Sequence, residues 1–98
     1  MYLARFSYDF RPADRERAMD FIRREVETAS ANGLKARLLV PLTRGPGGAA
    51  LQFEVELTSL DQLDRFRDQT TSQEDGDWMR QFSQILLSPP GVEVLRVA

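Results

Sequence analysis

The sequence of 98 residues contains no cysteine and no histidine. Without these side chains the chain cannot build a thiolate or imidazole metal site, ligate a haem through histidine, or use cysteine–histidine or serine–histidine–aspartate nucleophilic chemistry. Carboxylate-bound hard cations are the class of metal site that remains, and we predict neither a cofactor nor a bound metal. The absence of cysteine also removes any disulfide that would indicate an oxidising compartment.

Long apolar runs and an excess of basic charge are absent as well. Residues 1–10 alternate apolar and polar side chains, so we expect no signal peptide, no membrane segment and a cytoplasmic location. The formal net charge of -2 gives no overall attraction for nucleic acid or anionic lipid. With 42% hydrophobic and 29% charged residues, the chain has the composition of a globular protein, and its length predicts one domain over residues 1–98.

Alternation of apolar and polar residues is the strongest pattern in the sequence, and it is typical of strands with one buried face. It runs through Tyr2–Phe10, Leu34–Leu42 and Leu51–Leu57, and Val92–Val97 supplies a fourth strand. A glycine-rich loop, Thr43–Ala49, connects the second and third strands. We interpret it as a flexible hairpin loop and not as a phosphate cradle, because no helix follows it.

Two helical segments complete the pattern. The first starts at Pro12, where proline is tolerated, and ends at Asn32-Gly33. Its apolar stripe, which we assign to the core, comprises Ala18, Met19, Ile22, Val26 and Ala29. The second starts at Ser59, since the spacing to Gln62 is that of a capping box. We expect Asp68–Asp77, which has no apolar residue, to break this helix into two pieces. We favour a solvated connection there, with a mobile lid as the alternative.

The order strand–helix–strand–strand–helix–strand predicts an α+β, ferredoxin-like βαββαβ fold: a four-stranded antiparallel sheet with helices on one face and the first and third strands in the centre. The open face then carries Arg5, Ser7, Asp9, Lys35, Arg37, Gln52, Glu54 and Glu56. In the hairpin register, Arg37 opposes Glu54 or Glu56. Four aliphatic residues lie among these charges, namely Leu3, Leu39, Leu95 and Val97. This mixture predicts a surface that is buried against a second copy of the chain.

The strings LQFEVELTSLDQLDRF, DWMRQF and GVEVLRVA, taken with the element order, resemble the dimeric α/β-barrel superfamily. This group includes stress-responsive barrel proteins, antibiotic-biosynthesis monooxygenases, muconolactone isomerases and small polyketide cyclases. The resemblance spans nearly the whole chain and implies a homodimer in which two open sheet faces pack together. It also implies a ligand site in the cleft between the sheet and the helices.

Two departures from the superfamily limit the activities that the resemblance implies. Haem-dependent members use histidine, and the chain has none. Many members use an aromatic–asparagine–arginine set for oxygenation without a cofactor, but the single asparagine, Asn32, lies at a helix cap. That set therefore has no counterpart here. Trp78 is the residue of a matching type near the cleft, although we favour a core position for it because a tryptophan ring buries a large area.

Two functions stay open at this point. The first is a cofactor-free monooxygenase, isomerase or cyclase that acts on a small apolar, aromatic or polyketide-like molecule. It needs a base, for which the candidates are Asp9, Glu54 and Glu56, and an anion partner, for which they are Arg5 and Arg37. Tyr8 and Trp78 are the candidates for stacking against the ligand. The second is a non-catalytic homodimeric binding or structural module, in which the same charges are structural pairs.

Two other classes of domain share this element order but fit the sequence less well. A sensor domain of the ACT type shares the order but is normally fused to an enzyme. An RNA-recognition module also shares it, yet it carries aromatic residues on the open face, whereas here they lie on the helix side. We therefore predict no nucleic-acid partner.

Overall fold

A computed structural model describes the backbone of residues 1–44, 48–69 and 73–98, and the side chains of these residues outside 67–76. Its elements are β1 (Tyr2–Tyr8), a 3-10 turn (Pro12–Asp14), α1 (Arg15–Ala31), β2 (Lys35–Leu39), β3 (Leu51–Leu57), α2 (Leu60–Gln69), α3 (Gln73–Ile85) and β4 (Gly91–Arg96). This order confirms the prediction, including the division of the second helix into two pieces. Among the helices of the described residues, none has the length and apolar character needed to cross a bilayer.

The four strands form one antiparallel sheet in the order β2-β3-β1-β4, so β1 and β3 are central as predicted. In β3, Leu51, Phe53, Val55 and Leu57 are buried towards the helices. Ile22 of α1 and Phe82 of α3 are buried against the same layer. The ferredoxin-like fold is thus confirmed, with a single core on one side of the sheet and charged residues on the other.

The C-terminus of α1 is closed by a glycine in the left-handed region. Gly33 has φ 79, which a residue with a Cβ adopts only with strain. Its N–H donates to the Ser30 carbonyl at 3.0 Å, and the N–H of Leu34 donates to the Ala29 carbonyl at 3.0 Å. These two bonds form a Schellman motif, so the predicted end of the helix at Asn32-Gly33 is confirmed.

The start of α2 differs slightly from a capping box. The Gln62 side chain accepts a hydrogen bond of 2.7 Å from the backbone N–H of Thr58, one residue before the predicted cap. The break after α2 is also shorter than the predicted Asp68–Asp77, because α2 extends to Gln69 and α3 begins at Gln73. Gly76 therefore lies inside α3, at a cost of about 1 kcal/mol relative to alanine. Residues 70–72 are outside the described residues, so the lid remains a prediction.

Two strands, β1 and β2, end before their alternating patterns do. β1 ends at Tyr8, and Phe10 forms an isolated bridge with Leu86. β2 ends at Leu39, which pairs with Gln52, because β3 begins only one residue before Gln52, at Leu51. Pattern alone overestimates strand length here, since a strand ends where its neighbour stops pairing. Within the predicted hairpin loop, residues 45–47 lie outside the described residues.

Candidate active site

A cavity of about 240 Å3 opens on the helix side of the sheet, beneath β1 and the edge strand β4. All three helices and both strands contribute to its wall, which consists of Phe6, Tyr8, Glu25, Phe66, Met79, Pro90 and Val92. Apart from the Met79 sulfur, the polar side-chain groups in this lining are the Glu25 carboxyl and the Tyr8 hydroxyl. An apolar cavity with two converging polar groups is the usual form of a small-molecule site.

Glu25 belongs to the buried stripe of α1. It follows Ile22 by three residues and precedes Ala29 by four, a spacing that places all three side chains on the face of the helix towards the sheet. Glu25 is only 7% exposed. Burial raises the pKa of its carboxyl from 4.5 to about 7, although the hydrogen bond from Tyr8 opposes this rise. The group therefore changes charge near neutral pH.

Tyr8 is the last residue of β1, and its side chain points towards the helices. Its hydroxyl donates a hydrogen bond of 3.3 Å to Oε2 of Glu25. Its ring packs against Phe82, with ring centres 4.9 Å apart. Burial, followed by the charge and the hydrogen bond of Glu25, raises the pKa of the phenol well above 10.0. Tyr8 therefore stays protonated and can serve as a hydrogen-bond donor in the cavity.

The open face of the sheet holds a second buried carboxyl, in a different environment. Glu54 is 1% exposed, and each of its oxygens is bound by one arginine: Arg5 Nε and Nη2 donate to Oε2 at 3.0 and 2.7 Å, and Arg37 Nε donates to Oε1 at 3.0 Å. Burial alone would raise the pKa of Glu54, but the hydrogen bonds and charges of the two arginines outweigh it and lower the pKa. Between the two predicted partners of Arg37, the register selects Glu54.

The other sequence candidates lie apart from the cavity. Asp9 forms an ion pair with Arg44 beyond the end of β1. Glu56 lies across the strands from Lys35 and Leu3, and it forms no ion pair among the described side chains. The candidates for base and anion partner are thus distributed over the open face and its end, while Tyr8 lies in the cavity.

Trp78 is not a core residue, contrary to the position we favoured, and it does not line the Glu25 cavity. It lies on α3 and is half-buried against α1, where its ring meets the ring of Phe21 edge-on with 5.2 Å between the ring centres. The Arg24 guanidinium lies 5.3 Å from the centre of the indole ring. Its ring centre also lies 6.3 Å from that of the buried Phe82, so Trp78 packs at the edge of the core.

Glu25 is the residue that sequence reasoning missed. The stretch RREVE reads as a solvated run of charges, and two of its members, Arg23 and Arg24, are indeed exposed. The helical spacing could have identified Glu25. It follows Ile22 by three residues and precedes Ala29 by four, so it lies on the same face of the helix as these two residues of the predicted stripe. Among the described residues, no group of three or more histidine, cysteine, aspartate or glutamate residues is arranged to hold a metal ion.

No protein-family model and no curated protein matches the chain. Solved structures do match its fold. An antibiotic biosynthesis monooxygenase is 13% identical with a TM-score of 0.76, and the match covers 100% of this chain and 99% of that chain. A Mycobacterium tuberculosis protein is 19% identical with a TM-score of 0.75, and the match covers 100% of this chain and 96% of that chain.

A NIPSNAP family protein from Agrobacterium tumefaciens is 18% identical with a TM-score of 0.76, and the match covers 99% of this chain and 92% of that chain. At such identities the likeness establishes the fold, and it fits the superfamily that the sequence resembles. The chain has the ferredoxin-like fold of the antibiotic biosynthesis monooxygenase and NIPSNAP structures.

Proposed function

We propose that the chain is a cytoplasmic homodimeric enzyme that removes a proton from a small aromatic or polyketide-like molecule. It would act as a cofactor-free monooxygenase, isomerase or cyclase. The observation that carries this proposal is Glu25, a buried carboxyl with a pKa of about 7 in the wall of an apolar cavity. A general base is most effective when its pKa lies near the operating pH, and strongly shifted groups in clefts are candidates for that role.

Glu25 and Tyr8 have complementary tasks in this scheme. The Glu25 carboxylate accepts a proton from an acidic C–H or O–H group of the substrate, which leaves an enolate or phenolate. Once Glu25 is protonated, Tyr8 no longer donates to a carboxylate, and its hydroxyl can donate to the new oxyanion instead. In a site lined by apolar side chains such a donor stabilises developing charge more strongly than it would in water.

The same first step serves all three reaction types. An isomerase returns the proton to a different carbon, a cyclase lets the enolate carbon attack a carbonyl of the same molecule, and a monooxygenase lets the carbanion react with dioxygen. The antibiotic biosynthesis monooxygenase among the neighbours in fold supports the third type. Two arginines bind the oxygens of Glu54 and lower the pKa of its carboxyl, which suits a structural ion pair better than a base.

Proton removal can be measured without knowing the natural substrate. A panel of cyclic diketones and phenolic ketones in deuterated water should exchange their acidic C–H protons faster with the protein than without it, as followed by NMR. Glu25→Gln should lose about 10²- to 10⁴-fold of this acceleration. Glu27→Gln is the matched control, because Glu27 lies on the same helix but is exposed. Equal rates for the two variants would refute Glu25 as the base.

The homodimer is proposed through the open sheet face. At one level of the sheet the side chains across β2, β3, β1 and β4 are Arg37, Glu54, Arg5 and Glu93, a row of alternating charge. A two-fold axis parallel to the strands reverses this row in the second copy, so every charge faces one of opposite sign. Opposed charges of this kind specify the relative orientation of the two surfaces.

A charge reversal tests this arrangement, because Arg37 of one copy faces Glu93 of the other. Arg37→Glu and Glu93→Arg should each weaken the dimer in light scattering, since like charges then meet at both ends of the row. Mixing the two variants should restore a heterodimer, in which both ends of the row are complementary again. A wild-type chain that is monomeric at micromolar concentration, or a mixture that stays monomeric, would refute the proposed interface.

The alternative is a non-catalytic homodimeric binding or structural module. The observation that favours it is the Arg5–Glu54–Arg37 cluster, which commits three conspicuous charges of the open face to one another. Such a module would bind an apolar ligand in the cavity but would accelerate no exchange. The deuterium experiment therefore separates the two functions.

A further inference from the structure

The helix-facing side of β4 is not fully covered by the helices. Val92 and Val94 lie opposite Phe6 and Ala4 of β1, so their side chains point to the helix side of the sheet. Even so, Val92 is 49% and Val94 is 43% exposed. Two exposed valines in succession on the face that should hold the core form an apolar strip, which we call the β4 groove. The strip is small, and its position beside a cavity is what makes it a candidate extension of a binding site.

The groove is continuous with the cavity that contains Glu25. Val92 belongs both to the lining of the cavity and to the exposed strip, and Val94 follows on the same face about 7 Å further along the strand. Pro90, which also lines the cavity, lies at the near end of the strip. A ligand in the cavity therefore has an apolar path outwards along β4.

The size of the cavity sets how much of a ligand it can enclose. A cavity of about 150 Å3 holds benzene, whereas sites for drug-sized ligands have roughly 300 to 1,000 Å3. At about 240 Å3 this cavity accommodates one substituted ring and little more. The rest of a larger molecule has to lie outside, and the β4 groove is the apolar surface that adjoins the opening.

From these observations we infer that the substrate has a single-ring acidic head, which lies beside Glu25 and Tyr8, and an alkyl or acyl tail, which lies along Val92 and Val94. This inference rests on the proposed function, because it takes Glu25 and Tyr8 as the groups that the head contacts. It narrows the substrate class from aromatic molecules in general to those with one ring and a flexible apolar chain.

A series of para-alkylphenols tests the inference by calorimetry, above the pKa of Glu25 at about pH 8. The affinity should rise from para-cresol through para-butylphenol to para-hexylphenol by about twofold for each methylene, since complete burial gives roughly fourfold and the groove is open on one side. The total gain is then about 30-fold over five methylenes. Equal affinities along the series, or no binding by any member, would overturn the inference.

A pair of variants tests whether the dependence of affinity on chain length arises in the β4 groove. Val94→Asp should abolish the dependence on chain length and leave the affinity for para-cresol unchanged, because Val94 does not line the cavity. Val40→Asp is the matched control: Val40 is also 43% exposed, but it follows the opposite edge strand, β2. If both variants keep the dependence, or if Val94→Asp changes only the oligomeric state, the tail does not lie in the groove.

These outcomes are independent of catalysis. The chain-length dependence is a property of binding and persists even if no proton is removed from any substrate. A normal dependence together with absent deuterium exchange would refute the proposed enzyme but support the groove. Normal deuterium exchange without a dependence of affinity on chain length would support the proposed enzyme but refute the groove.

Discussion

The most direct physical consequence of the candidate site is that Glu25 makes folding less favourable as the pH rises from 4.5 to about 7. The carboxyl has a pKa of about 7 in the folded chain and 4.5 as its ordinary value, which we take for the unfolded chain. Between these two values the folded state binds the proton more tightly. The stabilisation of the folded state by the protonated carboxyl is therefore complete below pH 4.5 and is lost as the pH rises to about 7.

The size of this effect follows from the two pKa values. At about 1.4 kcal/mol for each tenfold change in proton affinity, a pKa of about 7 against 4.5 corresponds to about 3 kcal/mol. Burial of Glu25 at 7% exposure means that little of this is screened by solvent. For a domain whose total stability is about 5–15 kcal/mol, a change of this size is readily measured.

Urea unfolding of wild type and Glu25→Gln between pH 4 and 8 isolates the contribution, because glutamine has nearly the same shape and does not titrate. The difference in unfolding free energy should shift by about 3 kcal/mol in favour of the variant from acid to neutral pH. Glu54 has a lowered pKa and makes the opposite contribution at acid pH, but it cancels in the difference. Glu27→Gln, an exposed position on the same helix, is the control. A difference between wild type and Glu25→Gln that does not depend on pH would refute the raised pKa.

Three further predictions follow from individual contacts. Tyr8→Phe removes the hydrogen bond that lowers the pKa of Glu25, so the midpoint of the Glu25 titration should rise in carbon-13 NMR spectra; a fall would contradict this. Glu54→Gln should cost about 2 kcal/mol of unfolding free energy in urea, because Arg5, which is 30% exposed, and Arg37, which is 61% exposed, lose their common charged partner. Glu56→Gln, without an ion pair among the described side chains, should cost under about 0.5 kcal/mol, and equal losses would contradict the assignment. Gly33→Ala should lower stability by about 1 kcal/mol because of its positive φ, whereas Gly91→Ala, with ordinary contact to Ser7 at 3.7 Å, should cost less.

The fold could be predicted from the sequence because the alternation of apolar and polar residues in a strand indicates which of its faces is buried. Alternation of the kind seen in Leu51–Leu57 requires one face to meet the helices, and the element order leaves few ways to connect such strands. What alternation does not contain is the point at which pairing stops. β2 therefore ends before Leu42, and the neighbour of Arg37 is fixed only by the register with β3.

The site was harder to predict for a related reason. Its two polar groups, Tyr8 and Glu25, are 17 residues apart in sequence and meet only because β1 and α1 pack together. The face of each residue follows from periodicity, but a raised pKa depends on the size and polarity of the cavity around the carboxyl. That property comes from five surrounding elements and has no local pattern. The open-face charges, by contrast, are conspicuous in the sequence, and three of them, Arg5, Glu54 and Arg37, are bound to one another.

We propose that Glu25 exchanges its proton near neutral pH inside a ligand cavity. Carbon-13 NMR titration of the Glu25 carboxyl, assigned by comparison with Glu25→Gln, measures this directly, first in the free protein and then with para-hexylphenol bound. We predict a midpoint at about pH 7 in the free protein, together with a change in the Glu25 resonance when the phenol binds. A midpoint near 4.5, or a resonance that does not respond to the ligand, would contradict it.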